Sequence, residues 1–492
     1  MNGPADAWFQ RRGLALLTDF YQLTMMAGHW REGRAHQRVT FDYFFRSLPP
    51  HTGFAIHAGL DGLLDFLENL RFEPDDIDYL RSLDVFDADF LHYLKNFRLT
   101  CSVRAVPEGT LVFPNEPVVQ VEGPIIEAQL LETALLNLMN YPVLIATKAA
   151  RVCQAAEGDP VLDFGLRRAH GPDGGLTGSR AAYIGGCAST SNVLAGKAHG
   201  IPVAGTHAHS WVMSFPSELE AFRAFARQYP DRCILLVDTY DVIRSGVPNA
   251  IKVFKEMRAA GKNVRPAIRL DSGDLAKLSK AAHRMMMEAG LENPLIVASN
   301  DLNEDLIADL KRQGARINAW GVGTQLITSY DYPALGGVYK LTAIEGPEGW
   351  IPRMKISSNI EKATDPGRKQ IIRYYDAEHR PVGDMLIEEN TPWPRRGPVS
   401  GRSQKLPHLK AVLEDAVVGE PLLRVVFENG RRIIEKSLVS RIREHAMEQQ
   451  QKLGEEFKRL RNPEIYKVIL SQGLGEIKAR LLGGNPELFI RE

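Results

Sequence analysis

Two histidines stand one residue apart in GTHAHSWV, Gly205 to Val212, directly after an apolar run that ends in glycine. As metal ligands, His207 and His209 would need carboxylate or thiolate partners. The chain offers neither an HExxH helix nor a cysteine cluster, so no dedicated transition-metal site is expected. As core residues they would be ordinary. As an exposed imidazole at a strand end, one of them would serve as a general base or as a phosphoryl acceptor. Their position favours this third reading, and residue chemistry alone does not choose between base and acceptor.

A second constellation is AIRLDSGDLAKL, Ala267 to Leu278. Arg269 and Asp271 leave a strand two residues apart and therefore share a face. Ser272, Gly273 and Asp274 then open a helix, whose free N–H groups suit an anion or a capping side chain. One reading is a capped helix with a structural ion pair. In the other, Arg269 holds an anionic substrate while Asp271 faces a ribose hydroxyl, Mg2+ or a developing positive charge. FGLRRAHGPDGGLTGSR, Phe164 to Arg180, joins a strand-end aromatic to three arginines and five glycines. Such glycines admit a ligand close to the backbone, and arginines match phosphate or carboxylate bidentately. It is no P-loop, because no GKS or GKT follows; a surface loop is the plain alternative. WGVGTQLITS, Trp320 to Ser329, places small residues after a strand, where backbone amides can cradle a phosphate.

The elements that must position these residues alternate from about residue 160 to 325. Short apolar runs begin at Pro160, Ile201, Cys233, Val264, Pro294 and Ile317. Between them lie segments such as SELEAFRAFARQY, VPNAIKVFKEMRAAG, GDLAKLSKAAHRMMMEAG and NEDLIADLKRQG, with apolar residues at three- and four-residue spacing. Glycines at 261, 290 and 314 read as helix C-caps. Strands apolar on both faces and separated by helices imply parallel βαβ units. Six units, with one more added from a flank, suggest a closed or nearly closed α/β barrel. Polar residues collect past nearly every strand: Arg167, Thr206 with His207 and His209, Asp238, Arg269 with Asp271, Asn300 with Asp301, and Gly323 with Thr324. Strand C-termini converge on one mouth in such folds, so six polar ends in series argue for a site.

The flanks differ. Residues 1 to about 150 mix helical segments such as DGLLDFLENL with the Pro/Gly-punctuated, β-rich TCSVRAVPEGTLVFPNEPVVQVEGP. A long apolar helical stretch follows, with an interruption expected near Pro142. Beyond about 345 come a β-like piece, a loop in ENTPWPRRGPVSGRSQKL, and a charged amphipathic helix from Lys436 to Arg461. The expected division is an N-terminal α/β domain over 1–150, a catalytic barrel over 151–345 and a C-terminal region over 346–492.

The 492 residues carry 60 basic and 60 acidic side chains, so the net charge gives no reason to expect nucleic acid or an anionic membrane as partner. The four cysteines, Cys101, Cys153, Cys187 and Cys233, are far apart and fit a reducing compartment. The N-terminus lacks a signal-peptide core, and no run approaches the roughly 20 consecutive apolar residues of a membrane helix. A cytoplasmic location is expected.

Several long motifs, in order, carry a resemblance. LLTDFYQLTMMAGHW, DFGLRRAHGPDGGLTGSRAAYIGGCASTSNVLAGKAHGIPVAGTHAHSW, LLVDTYDVIRSGVPNAI, IRLDSGDLA, VASNDLNE and GVGTQLITSYDYPALGGVYKL closely resemble the nicotinate phosphoribosyltransferases from about residue 14 to 345. The resemblance implies an irregular TIM-like α/β barrel with an N-terminal α/β domain, a small β-rich unit and C-terminal elements. It implies transfer of phosphoribose from 5-phosphoribosyl 1-diphosphate to nicotinate, giving nicotinate mononucleotide and diphosphate for NAD synthesis. ATP hydrolysis is coupled through a phosphohistidine, Mg2+ accompanies the phosphates, and homodimers share their active sites. Carried over, His209 is the phosphorylated imidazole and Thr206 contacts nicotinate. Tyr21 reaches the pyridine from the neighbouring subunit, with Phe164 on the other face. Arg167 and Arg269 take carboxylate and phosphate, and Asp271 lines the ribose and metal region. Amides near Gly323 and Thr324 hold a phosphate, and Asn300 joins the pocket. His207 receives no role. HGIPVAG lacks the acid that the nicotinamide-using relatives carry before this strand end, which favours nicotinate. The alternatives are a nicotinamide-using transferase or a barrel lyase or isomerase acting on sugar phosphates.

Overall fold

The structure, a computed structural model, describes residues 14–262, 264–356 and 362–483. Chain contacts divide it into two units, Ile145–Pro333 and Met1–Leu144 with Ala334–Glu492.

The first of these is α/β. Its strands are β1 (Val161–Asp163), β2 (Ser189–Thr190), β3 (Leu235–Leu236), β4 (Ala267–Leu270), β5 (Leu295–Ala298) and β6 (Ala319–Val322). They form one six-stranded sheet in the order β2-β1-β6-β5-β4-β3, with every pair parallel. The apolar periodicity between strands becomes helices α1 (Gly171–Ile184), α2 (Glu218–Gln228), α3 (Val247–Ala259), α4 (Leu275–Glu288) and α5 (Glu304–Arg312). Side chains cap three of them: Ser217, Asp274 and Asn303 accept from the amides of Glu220, Lys277 and Leu306. Gly261, Gly290 and Gly314, just past helix ends, have φ of 75°, 78° and 72°, the left-handed geometry expected of them.

Two expectations change here. Ile201 to Thr206 is no full strand; it makes one isolated bridge, Val203 to Thr190. The sheet position belongs instead to Ser189–Thr190, a polar pair whose Thr190 hydroxyl donates to the buried Asp163 carboxylate at 2.7 Å. The end strands β2 and β3 share no ladder among the described residues. The 201–209 segment spans that seam, bridging Thr190 on one side and meeting β3 through the His207 ring on the other. The result is TIM-like but irregular.

The second unit draws on both ends of the chain. A seven-stranded sheet runs Gly349–Pro352, Gly337–Gly346, Arg38–Phe45, Val119–Pro124, Ser102–Ala105, Arg424–Glu428 and Arg431–Arg432. A six-stranded sheet runs Lys410–Leu413, Val399–Ser403, Val468–Leu470, Pro381–Glu388, Lys369–Tyr375 and Val418–Pro421, so part of the expected loop after Glu389 is strand. The expected helix from Lys436 is shorter, Val439–Lys452, followed by Glu455–Lys458. The long helix Ile125–Ala155 passes through Pro142 unbroken. Proline there deprives the Leu138 carbonyl of its amide partner. Gly59 packs against that carbonyl, where a Cβ would come within 2.7 Å. This helix is long and apolar enough to cross a membrane by length and composition alone, with 61% of its most apolar window buried in the protein.

Candidate active site

The C-terminal ends of the parallel strands bring six of the expected residues into one α/β unit with direct contacts among them. Arg269 lies near the end of β4 with its side chain 13% exposed. It donates through Nη1 to Thr206 Oγ1 at 2.9 Å, through Nε to Ser299 Oγ at 2.8 Å, and through Nη2 to Asp271 Oδ1 at 2.9 Å. These bonds use three of the five N–H groups an arginine carries. The Phe164 ring lies under the guanidinium, 5.5 Å from its centre. Gly321 makes room for that ring, since a Cβ there would fall 2.6 Å from two ring carbons. Gly323 lies beside the Phe164 backbone and precedes the short turn Thr324–Ile327.

His209 is 42% exposed and opens a short helix, His209–Met213. Its Nδ1 lies 3.2 Å from Thr239 Oγ1. Its Nε2 lies 3.7 Å from Asp271 Oδ2 and 4.0 Å from Asp238 Oδ1. It is therefore neither buried among hydrocarbon nor remote from Arg269 and Asp271. Asp271 accepts from the Ser299 hydroxyl as well as from Arg269. Burial alone would lift its carboxyl, but Ser299, Arg269 and His209 outweigh that and hold it below the usual carboxylate range. Asp271 is thus an anion at neutral pH.

Asp238 and Ser299 carry weight that residue type did not reveal. The Asp238 carboxylate is 1% exposed, and its Oδ2 accepts from the Asp271 amide at 2.9 Å and the Ser272 hydroxyl at 2.6 Å. Its Oδ1 has no hydrogen-bond partner. The only hint in sequence was its place at a strand end. Ser299 gave no hint. Asn300 follows it with φ of 91° and Asp301 with φ of 34°, left-handed backbone in non-glycine residues that marks a constrained turn at the strand end. Arg167 is exposed on the turn Leu166–Arg168 that follows Phe164. Tyr21 belongs to the other unit, on the helix Phe20–Arg31, 47% exposed, with its hydroxyl donating to Glu132 at 3.3 Å.

No group of three His, Cys, Asp or Glu side chains among the described residues forms a ready cage for a metal. An orphaned buried carboxylate oxygen is nevertheless the donor that Mg2+ takes when substrate phosphates supply its other ligands. The site as a whole combines an exposed imidazole, two carboxylates and a partly committed guanidinium, with an aromatic face beside them. That set suits anionic substrates and a reaction centre that becomes positive.

Comparison with known proteins agrees along the whole length. Residues 16–140 match the nicotinate phosphoribosyltransferase (NAPRTase) N-terminal domain, 160–376 the nicotinate phosphoribosyltransferase family, and 368–478 the corresponding C-terminal domain. A relative named nicotinate phosphoribosyltransferase from Bacillus subtilis is 43% identical over 489 residues, 96% of this chain and 98% of its own. One from Homo sapiens is 38% identical over 528 residues, covering 95% and 97%. The crystal structure of human nicotinic acid phosphoribosyltransferase matches with a TM-score of 0.84 at 35% identity, over 94% of this chain and 99% of that one. With three domain matches in register and relatives aligned nearly end to end, the chain belongs to the nicotinate phosphoribosyltransferase family.

Proposed function

We propose that the protein is an ATP-coupled nicotinate phosphoribosyltransferase serving NAD synthesis from nicotinate. The observation that carries this is the exposed His209 ring, held between Thr239, Asp238 and Asp271 at the strand ends. In the priming step a ring nitrogen of His209 attacks the γ-phosphorus of ATP. A P–N bond forms, the bond to ADP breaks, and water later takes the phosphoryl group to give phosphate. The modified ring gains nearly two negative charges beside two carboxylates. Counter-charge is then required, which Arg269 and an Mg2+ held by Asp238 with the substrate phosphates would provide. When bound, Mg2+ neutralises phosphate charge.

In the transfer step the pyridine nitrogen of nicotinate forms a bond to the anomeric carbon of 5-phosphoribosyl 1-diphosphate, and the bond to diphosphate breaks. The sugar passes through an oxocarbenium-like state, which ionised Asp271 stabilises electrostatically. Phe164 would face the pyridine ring, with Thr206, Arg167 and the uncommitted N–H groups of Arg269 on its carboxylate or on phosphate. The turn at Gly323 and Thr324 would receive a phosphate, near Asn300. The barrel portion over 151–345 houses these steps, flanked by parts over 1–150 and 346–492. Tyr21 would complete the ring pocket of a neighbouring copy in a homodimer; the exposed Leu17, Phe20 and Met25 around it support an apolar contact there. A cytoplasmic setting accords with the reading. The test is release of diphosphate from nicotinate and the sugar donor, with and without ATP, alongside labelling by γ-labelled ATP. Wild type should incorporate label and His209→Ala none, with ATP stimulation lost; equal labelling of both removes His209 from the mechanism.

A further inference from the structure

His207 has no part in the chemistry above, yet it lies at the seam where the end strands share no ladder among the described residues. β3 is two residues long and, among the described residues, pairs with β4 alone, Leu235 opposite Ile268 and Leu236 opposite Arg269. Its other edge faces the irregular 201–209 segment. There the buried Leu236 amide donates to His207 Nε2 at 3.2 Å. A buried amide left without an acceptor is destabilising, so an edge without a neighbouring strand needs a substitute. His207 Nδ1 lies 3.4 Å from the Ala208 carbonyl, which accepts only from N–H. The ring is thus neutral, with its hydrogen on Nδ1 and its lone pair on Nε2. The side chains of Phe225 and Phe222 hold it, with centroids at 4.7 and 6.1 Å, and the residue is 7% exposed. Burial pushes the imidazole down to about 4, which keeps the lone pair available at neutral pH.

We propose that His207 is a positioning residue whose ring nitrogen replaces a missing backbone acceptor, closing the barrel seam and setting His209 against its partners. Both halves of the His209 environment depend on that bond. On one side, Thr206 precedes His207 and takes the Arg269 hydrogen bond, while His209 follows two residues later. On the other, Asp238 and Thr239 lie two and three residues beyond Leu236 and face the His209 ring. A single side-chain rung therefore ties the phosphoryl acceptor to the strand end that flanks it. Its kinetic consequence rests on the reading of His209 given above; its structural content does not.

The test uses the full chain and three variants. Glutamine can place an amide oxygen near the position of Nε2, whereas asparagine reaches only that of Nδ1 and leucine has no acceptor. Hydrogen exchange at the Leu236 amide, measured without substrates, should match wild type in His207→Gln and speed up roughly tenfold or more in His207→Leu and His207→Asn. Phosphorylation of His209 from ATP should follow the same order, near wild type for glutamine and about tenfold or more slower for the other two. Unchanged Leu236 exchange in His207→Leu overturns the proposal, as does a glutamine variant that exchanges as fast as leucine, since packing of the ring would then be what matters. If wild type itself takes no label from ATP, the functional reading fails while the exchange result still decides the seam.

Discussion

Ser299→Ala is the sharpest perturbation of the site, because one hydroxyl serves both charged residues. Ser299 is 3% exposed; it accepts from Arg269 Nε at 2.8 Å and donates to Asp271 Oδ1. Alanine removes both bonds and leaves the direct Arg269–Asp271 contact at 2.9 Å. A hydrogen bond to a charged group contributes about 1.5–3 kcal/mol net. With the direct ion pair retained, a loss equal to one such bond is expected, roughly 10- to 150-fold in kcat/KM. The pH dependence has a definite sign. Ser299 is the largest of the influences that lower Asp271, so its removal lets burial raise the carboxyl. Asp271 must be ionised to face a cationic sugar, so the acid limb of the rate profile moves to higher pH, and the deficit is greater in acid than in mild alkali. Folding stability follows suit. The depressed carboxyl contributes stability above the unfolded-state value, about 3.9, that is lost as pH falls through the folded value. In the variant this contribution shrinks. Initial rates of diphosphate release from mildly acidic to mildly alkaline pH, with urea midpoints beside them, measure both. A well-folded variant with wild-type rates and an unmoved acid limb would refute the linkage of Ser299 to Asp271.

Other expectations are independent of that one. Gly321→Ala drives a methyl into the Phe164 ring, and overpacking of this kind costs about 1–3 kcal/mol; displacement of the ring should raise KM for nicotinate more than KM for the sugar donor, and equal effects on both would count against Phe164 as the pyridine face. Glu304 is 2% exposed and pairs with Lys148 at 2.8 Å and Arg151 at 2.9 Å. Glu304→Gln should lower unfolding stability by about 3 kcal/mol, read from the denaturant midpoint, because buried Arg151 and Lys148 lose the carboxylate they share, while Lys148 retains Asp331 at 2.7 Å. The imidazole of His207, held at about 4 chiefly by burial, binds its proton more weakly folded than unfolded. Its contribution is fully present above the unfolded value of about 6.5 and lost as pH falls toward 4, so the midpoint of wild type should drop over that window by more than that of His207→Gln.

Local rules made the helices legible. Three- and four-residue spacing placed four of them, and Gly261, Gly290 and Gly314 marked three ends because only glycine adopts left-handed backbone there without strain. Elements defined by pairing were not legible. Ser189–Thr190 carries no apolar signal; it is tied to its neighbour by the parallel ladder and by the Thr190 hydroxyl, which donates to Asp163. Ile201 to Thr206 carries the apolar signal but finds a continuous neighbour on neither side. Pro142 reads as a break because the packing of Gly59 against this part of the helix is a long-range contact.

The same distinction runs through the site. Arg269, Asp271 and His209 announce themselves by charge and position, whereas Ser299 acquires its role only from register. β4 and β5 pair with Leu270 opposite Ala298, and the Ser299 amide donates to the Leu270 carbonyl at 2.9 Å, which sets Ser299 beside Asp271. A shift of one residue would turn that hydroxyl to the other face of the sheet. Asp238 depends on β3 in the same way, because its Oδ2 receives the amide of Asp271 from the neighbouring strand end. The residues that bear charge were thus visible from type and spacing. Those that fix the charge state and direction of their neighbours were not, because their function is a property of the ladder. Where the end strands share no ladder among the described residues, the register on either side of that seam is what places Asp238, Thr239 and Asp271 around the His209 ring.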